Sequence, residues 1–206
     1  MPKKKVEERS TYHHGDLRNA LLLAAADAID KEGIEALSLR GLARQLGVSH
    51  GAPNRHFKTK SELLGALAAH AYQSIRRATL EAAEKVGEDP LIRLNAMGRG
   101  YLKWALENQS LFKAMNHPDV GLYVGTELVD SMKRFQKDIL EAVLAAQKKG
   151  RHPKANPYIL LLFTNAIPFG VAGLLSHPVY AQPTEGYSID ELVEQIIELT
   201  VPIKKS

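Results

Sequence analysis

The chain has 206 residues, 24% of them charged, a formal net charge of +4 and no cysteine. That is length enough for one large or two small domains with a proper core, while the missing thiols exclude a disulfide framework and thiolate chemistry and fit a reducing cytoplasm. The charge is uneven: residues 1–80 hold 13 Lys and Arg against 8 Asp and Glu, the remainder 14 against 15, as expected of a head that meets a polyanion on a nearly neutral body.

Residues 1–11 read as a disordered basic tail. No apolar stretch follows Lys3, Lys4 and Lys5, so the segment is not a signal peptide. The lysines are either a solvated charge run or an arm for a DNA minor groove. A helical stripe of Leu17, Ala20, Leu21, Ala24, Ala25, Ala28 and Ile29 then runs to Gly33.

The window from Ser38 to Phe57 reads as two short helices joined by a tight turn. Leu39, Leu42, Ala43 and Leu46 give the first an apolar face. Ser38 is placed to cap it and Gly47 to end it in the left-handed conformation. Val48 tucks into the corner and Ser49 caps the second helix, whose outward residues His50, Gly51, Asn54 and Arg55 are small, polar or basic. Such a face suits the DNA major groove. An ordinary corner inside a bundle has the same spacing. Downstream, Thr59, Lys60, Ser61 and Glu62 form a capping box for another helix. Its first amides, its dipole and Lys60 make an anion site beside the second helix.

That next helix runs over 61–86 through Leu64, Leu67, Ala68, Ala71, Ile75, Ala78, Thr79 and Ala82, and stops near Gly87. It is long enough to join head and body as one rod. Asp89 and Pro90 then supply a cap and a first-position proline, and Leu91, Leu94, Met97, Tyr101, Leu102 and Ala105 follow at helical intervals. A break at Asn108–Ser110 precedes a short helix to Met115 and a stop at His117-Pro118. A long helix spans roughly Leu122 to Lys149. Nothing alternates with period two for long enough to make a strand, so the fold class is all-α.

Tyr158–Ser176 carries no charge and reaches the length of a membrane span. Thr164, Asn165, Pro168, Gly170 and Gly173, and the lack of asymmetric basic flanks, argue against one. A helix apolar all round is also expected where its own domain covers one side and a partner the other, and that reading is preferred. The last helix, over Ile189–Val201, repeats an apolar face in Leu192, Val193, Ile196, Ile197 and Leu199. Two such helices from each of two subunits make a four-helix interface, to which Leu162 and Ile196 belong. Pro168 should kink its helix by freeing the Thr164 carbonyl.

Residues from about Tyr12 to Ala71 resemble the N-terminal domain of the TetR family of bacterial one-component regulators. The likeness rests on Leu39-x-x-Leu-Ala-x-x-Leu-Gly-Val-Ser and on Arg55-His56-Phe57-Lys58-x-Lys60-x-Glu62-Leu63-Leu64. It implies a helix-turn-helix head over 12–60, with its motif at 38–57, and a ligand-binding and dimerisation body over 61–206. By position, Arg40 and His50 would read bases, with Ser49, Gly51 and Arg55 nearby, and Ser38, His56, Thr59 and Lys60 would hold phosphates. Asn54 stands where the family usually has an aromatic residue; an Asn there donates to a phosphate or pairs with an adenine edge.

The stretch Asp89–Phe112 is similar to a subtype named for a Trp…His-Gly motif, whose corresponding positions here are Asn165 and Phe169-Gly170, so that match is partial. The resemblance implies a small-molecule pocket in the body, lined by Met97, Tyr101, Trp104, Phe112, Met115, Phe163 and Phe169 with Asn165 as a buried polar anchor. Each of those residues taken alone is also an ordinary core residue.

No spacing of His suggests a metal site, no glycine-rich loop a cofactor, and no nucleophile elbow an enzyme. The expectation is therefore a cytoplasmic homodimeric regulator without cofactor, metal or membrane partner. It binds double-stranded DNA at an inverted repeat and is released as a repressor by a small hydrophobic or aromatic effector. The competing readings are a helical ligand-binding or adaptor protein without DNA binding, and a helical enzyme using a buried Asn or His.

Overall fold

The computed structural model describes residues 17–122 and 125–200. The tail at 1–11, the first residues of the head at 12–16, and Val201 lie outside them. Among the described residues there are helices and turns and no strand.

The head begins with α1 (Leu17–Glu32), whose stripe of Leu17, Ala20, Leu21, Ala24, Ala25 and Ile29 is buried. Gly33 leaves it at φ +82, a value that costs an L side chain strain, and a 3-10 turn at Ile34–Ala36 follows. Next comes α2 (Leu39–Gln45). The central rod is α3 (Lys60–Glu84), and its first half is buried almost all round. It packs on α1 at one end and on the body helices along the rest of its length.

The body comprises α4 (Pro90–Glu107), α5 (Gln109–Met115), α6 (Thr126–Lys148), α7 (Pro157–Leu175), α8 (Pro178–Ala181) and α9 (Ile189–Glu198). Asp89 caps α4 by accepting from the Leu91 amide at 2.8 Å. The long helix expected from Leu122 starts at Thr126, because Pro118–Leu122 coils as a 3-10 turn. On α3 and α4 the backbones approach so closely at Gly100 that an added Cβ would lie 2.7 Å from the Ala78 carbonyl oxygen.

α7 lies against α4 and α6 along one side. Within it only Pro168 and Ala172 are fully buried, and the helix runs on through Pro168. Tyr158, Ile159, Leu162, Phe163 and Leu174 are exposed, Leu162 by 67%. By length and composition this is the one described helix that meets the requirements of a membrane span, with mean hydropathy 1.9. α9 is fastened to α4 by ion pairs, Arg99 to Glu194 and Lys103 to Asp190.

Candidate nucleic-acid interface

Ser38 caps α2 as expected, its hydroxyl accepting from the Gly41 amide at 3.1 Å. A Cβ at Gly41 would sit 2.9 Å from the Ser38 hydroxyl oxygen, so a larger residue there would displace the capping hydroxyl. Gly47 takes φ +64, and the Val48 amide reaches back to the Ala43 carbonyl at 3.0 Å, closing the turn.

The second helix of the motif differs from expectation. Residues 49–57 form a turn followed by one 3-10 coil at Pro53–Arg55 rather than an α-helix. Pro53 has no amide hydrogen to give the Ser49 carbonyl, and its ring crowds that same carbonyl. The Ser49 carbonyl instead accepts from the Ala52 amide at 2.9 Å. Ser49 also makes no side-chain cap bond among the described residues. Pro53 and Phe57 are buried at either side of the coil. With those two plugs inward, His50, Gly51, Asn54 and Arg55 are left exposed, as are Arg40 and Ser49. His56 is half-buried.

The capping box at the start of α3 is half closed. The Thr59 hydroxyl accepts from the Glu62 amide at 3.0 Å, but the Glu62 carboxylate takes the Lys58 amide rather than that of Thr59. Lys58 carries a role that its place in the sequence does not announce. Its ammonium donates to the Asn54 carbonyl at 2.8 Å and so braces the coil. Lys60 leans on the Glu35 carbonyl at 3.3 Å. Between Glu35 and Glu62 the chain has no Asp or Glu, while Arg40, Arg44, Arg55, Lys58 and Lys60 fall within that span.

The eight residues expected to line one pocket are not brought together. Trp104 is buried and donates to the Ser74 hydroxyl at 2.9 Å. Tyr101 is buried edge-on to Phe135, centroids 5.7 Å apart, and burial pushes its hydroxyl pKa above the usual range. Phe112 is buried with the half-exposed Phe169 tilted against it at 5.7 Å. Phe163 is exposed. Asn165 is not a buried anchor: it is half-buried and spends its amide on the Leu161 carbonyl of its own helix at 2.9 Å.

Two sizeable cavities of the body are each touched by one member of the set. Met97 borders one of about 340 Å³ among α3, α4 and α6, which carries Glu88, Asp138 and Glu141. Met115 borders one of about 440 Å³ between α3, the α5–α6 connection and α6. Of the residues expected at a dimer interface, Leu162 is exposed and Ile196 half-buried.

Residues 21–67 match the family described as bacterial regulatory proteins of the tetR family. An HTH-type transcriptional repressor of Mycobacterium tuberculosis is 40% identical over 58 residues, 28% of this chain and 31% of that protein. The HTH-type transcriptional regulator BetI of Ectopseudomonas mendocina is 33% identical over 81 residues, 39% of this chain and 41% of its own length. The matches thus span between about a third and two fifths of these curated relatives. Over nearly the whole chain the fold is that of a protein of unknown function from Rhodococcus sp. RHA1, with TM-score 0.75, 29% identity, and 93% and 96% of the two chains covered. It is also that of the TetR-family regulator PfmR of Thermus thermophilus, with TM-score 0.68, 18% identity, and 87% and 95% covered. The head over residues 21–67 thus matches the tetR family of bacterial regulatory proteins, and the chain as a whole has the fold of these solved structures.

Proposed function

We propose that this protein is a cytoplasmic DNA-binding transcriptional regulator that acts as a homodimer on an inverted-repeat operator. It is a repressor released by a small hydrophobic or aromatic effector. The observation that carries the reading is the acid-free stretch between Glu35 and Glu62. Its exposed Arg40 stands on α2, and its exposed His50, Asn54 and Arg55 stand on the turn and short, plugged coil at 49–57 beside the first turn of α3. A duplex presents one charge every ~1.7 Å, so a basic face without carboxylates is attracted to it.

In this reading Arg40 and His50 contact base edges, with Ser49, Gly51 and Arg55 beside them. Ser38, His56, Thr59 and Lys60 hold phosphates, and Asn54 meets whichever of the two its short side chain reaches. A coil shortened by Pro53 presents few residues to the groove, so register depends on the phosphate clamp at the start of α3. Each subunit offers one such coil, and one coil is too small for a long site. The exposed face of α7 and the flank of α9 near Ile196 supply the pairing surface. The head is residues 12–60, and 61–206 is the body joined to it by the long helix.

The test is a titration of duplex DNA at several salt concentrations. The reading expects tight binding to one inverted-repeat sequence, weak binding to others, and a steep fall with salt. Equal binding to every duplex, or none, supports instead a helical ligand-binding protein with a structural corner.

A further inference from the structure

We propose, on the regulatory reading above, that the 440 Å³ cavity between α3, the α5–α6 connection and α6 is the effector site, and that it takes a single-tailed aliphatic or aryl carboxylate. Its floor is apolar: Met115, Val120 and Leu128 are each more than nine-tenths buried. Met132 and Val129 extend that surface outward. Its mouth holds Lys133 and Gln136, both exposed.

The charge of the lining selects the head group. Lys133 makes no ion pair among the described residues, and no Asp or Glu lines the cavity. The 340 Å³ cavity has the opposite balance, with three carboxylates around it against the one guanidinium of Arg93. Tyr72, half-buried, lies in the wall. Its hydroxyl is protonated at neutral pH, and burial pushes its pKa further above the usual tyrosine value. A half-buried hydroxyl and an unpaired ammonium in one lining that holds no acid fit a carboxylate head, with the tail running to the floor.

Both walls of this cavity are tied to the head. His117 lines it and lies on the α5–α6 connection. Its Nδ1 accepts from the Asp119 amide at 3.2 Å, which leaves the ring proton on Nε2, 3.4 Å from the Glu35 carboxylate. The Glu35 carbonyl in turn holds Lys60. On the other wall, Glu127 precedes Leu128 and binds Arg18 at 2.7 Å. The Arg18 guanidinium lies 5.6 Å over the ring of Phe57, the buried plug of the DNA-facing coil. A tail that spreads the walls therefore pulls on Lys60 and Phe57 together.

Decanoate, decanol and decylammonium are compared on the full-length protein by calorimetry and by melting, alongside Lys133→Glu, Met132→Trp and the double variant Glu35→Ala/Glu127→Ala. Decanoate is expected to bind most tightly of the three. Lys133→Glu should weaken decanoate about five- to tenfold and leave decanol unchanged, since an exposed charge pair is worth little alone and reversal doubles its effect. Filling the cavity with Met132→Trp should exclude all three. The double variant should bind decanoate as the native protein does, while decanoate no longer changes its DNA affinity. Equal binding of the three compounds, indifference of decanoate to Lys133→Glu, or an unaltered DNA response in the double variant overturns the proposal. Decanoate binding that depends on Lys133, in a protein that binds no duplex, overturns the regulatory reading and leaves the site standing.

Discussion

Arg99 grips Glu194 with two nitrogens, Nε at 2.6 Å and an Nη at 2.7 Å, and so fastens α9 to α4. A forked pair of this kind is more specific than a single contact. It matters because α9 carries part of the proposed pairing surface.

The pair makes the attachment of α9 sensitive to acid. The Arg99 guanidinium holds Glu194 below the ordinary glutamate value of 4.5. A carboxylate depressed by folding stabilises the native state above its unfolded pKa, and that stability is lost as pH falls through the folded value. Melting temperature should therefore be unaffected by this pair from neutrality down to about pH 5 and should fall below it. Glu194→Gln should flatten that part of the profile and cost less than about 1 kcal/mol at neutral pH, since the pair is partly exposed. An unchanged acid limb in the variant would contradict this.

Gly100→Ala should be among the costlier single-atom additions in the body. The added Cβ meets the Ala78 carbonyl at 2.7 Å and the Ala82 Cβ at 2.8 Å, both on α3. Backbone cannot swing aside as a side chain does, so α3 and α4 must part, at about 1–3 kcal/mol. That corresponds to a fall of roughly 2–4 °C in Tm per kcal/mol for a chain of this size. Gly51→Ala, where nothing lies within 4 Å, should leave Tm unchanged and serves as the control.

In the head, Arg40→Ala should weaken binding to the cognate operator by about 1–3 kcal/mol and random DNA by less, as loss of a base contact does. Lys60→Ala should weaken all sequences alike and make the salt dependence shallower. Titrations on cognate and scrambled duplexes at three salt concentrations separate the two. Equal losses on both duplexes for Arg40→Ala would remove it from the base-reading set.

Leu162→Glu places a charge on the exposed face of α7, where Leu162 is 67% exposed. The monomer should fold normally, and sedimentation should show it as a single subunit with operator affinity lost. Ile196→Glu is a harsher change because Ile196 is half-buried in its own subunit. A Leu162→Glu dimer with native DNA affinity would move the pairing surface elsewhere.

Local signals are legible in the sequence and non-local ones are not. The caps at Ser38, Thr59 and Asp89 and the turn at Gly47 depend on a few neighbouring residues, so residue type and spacing reveal them. The coil at 49–57 misleads because its polar pattern suits a helix, while Pro53 withholds the amide that would bond the Ser49 carbonyl and so disfavours the first α-turn. The pocket residues fail for a different reason. Aromatic and Met side chains at helical spacing show which face is apolar, but not whether that face meets a neighbour or a void. Trp104 and Phe112 meet neighbours. The larger cavity is assembled from Tyr72, the segment around His117 and the start of α6, three stretches too far apart for any window to join.

Two heads, paired through their bodies, are expected to read one inverted repeat. Selection of bound duplexes from a random-sequence pool, followed by footprinting and mass determination of the enriched complex, tests it most directly. The account predicts enrichment of a two-fold symmetric sequence with protected half-sites about 34–36 Å apart, or somewhat wider if two dimers lie side by side. It also predicts subunits in multiples of two on each duplex. No enrichment over the starting pool, or a single subunit on an asymmetric site, would contradict it.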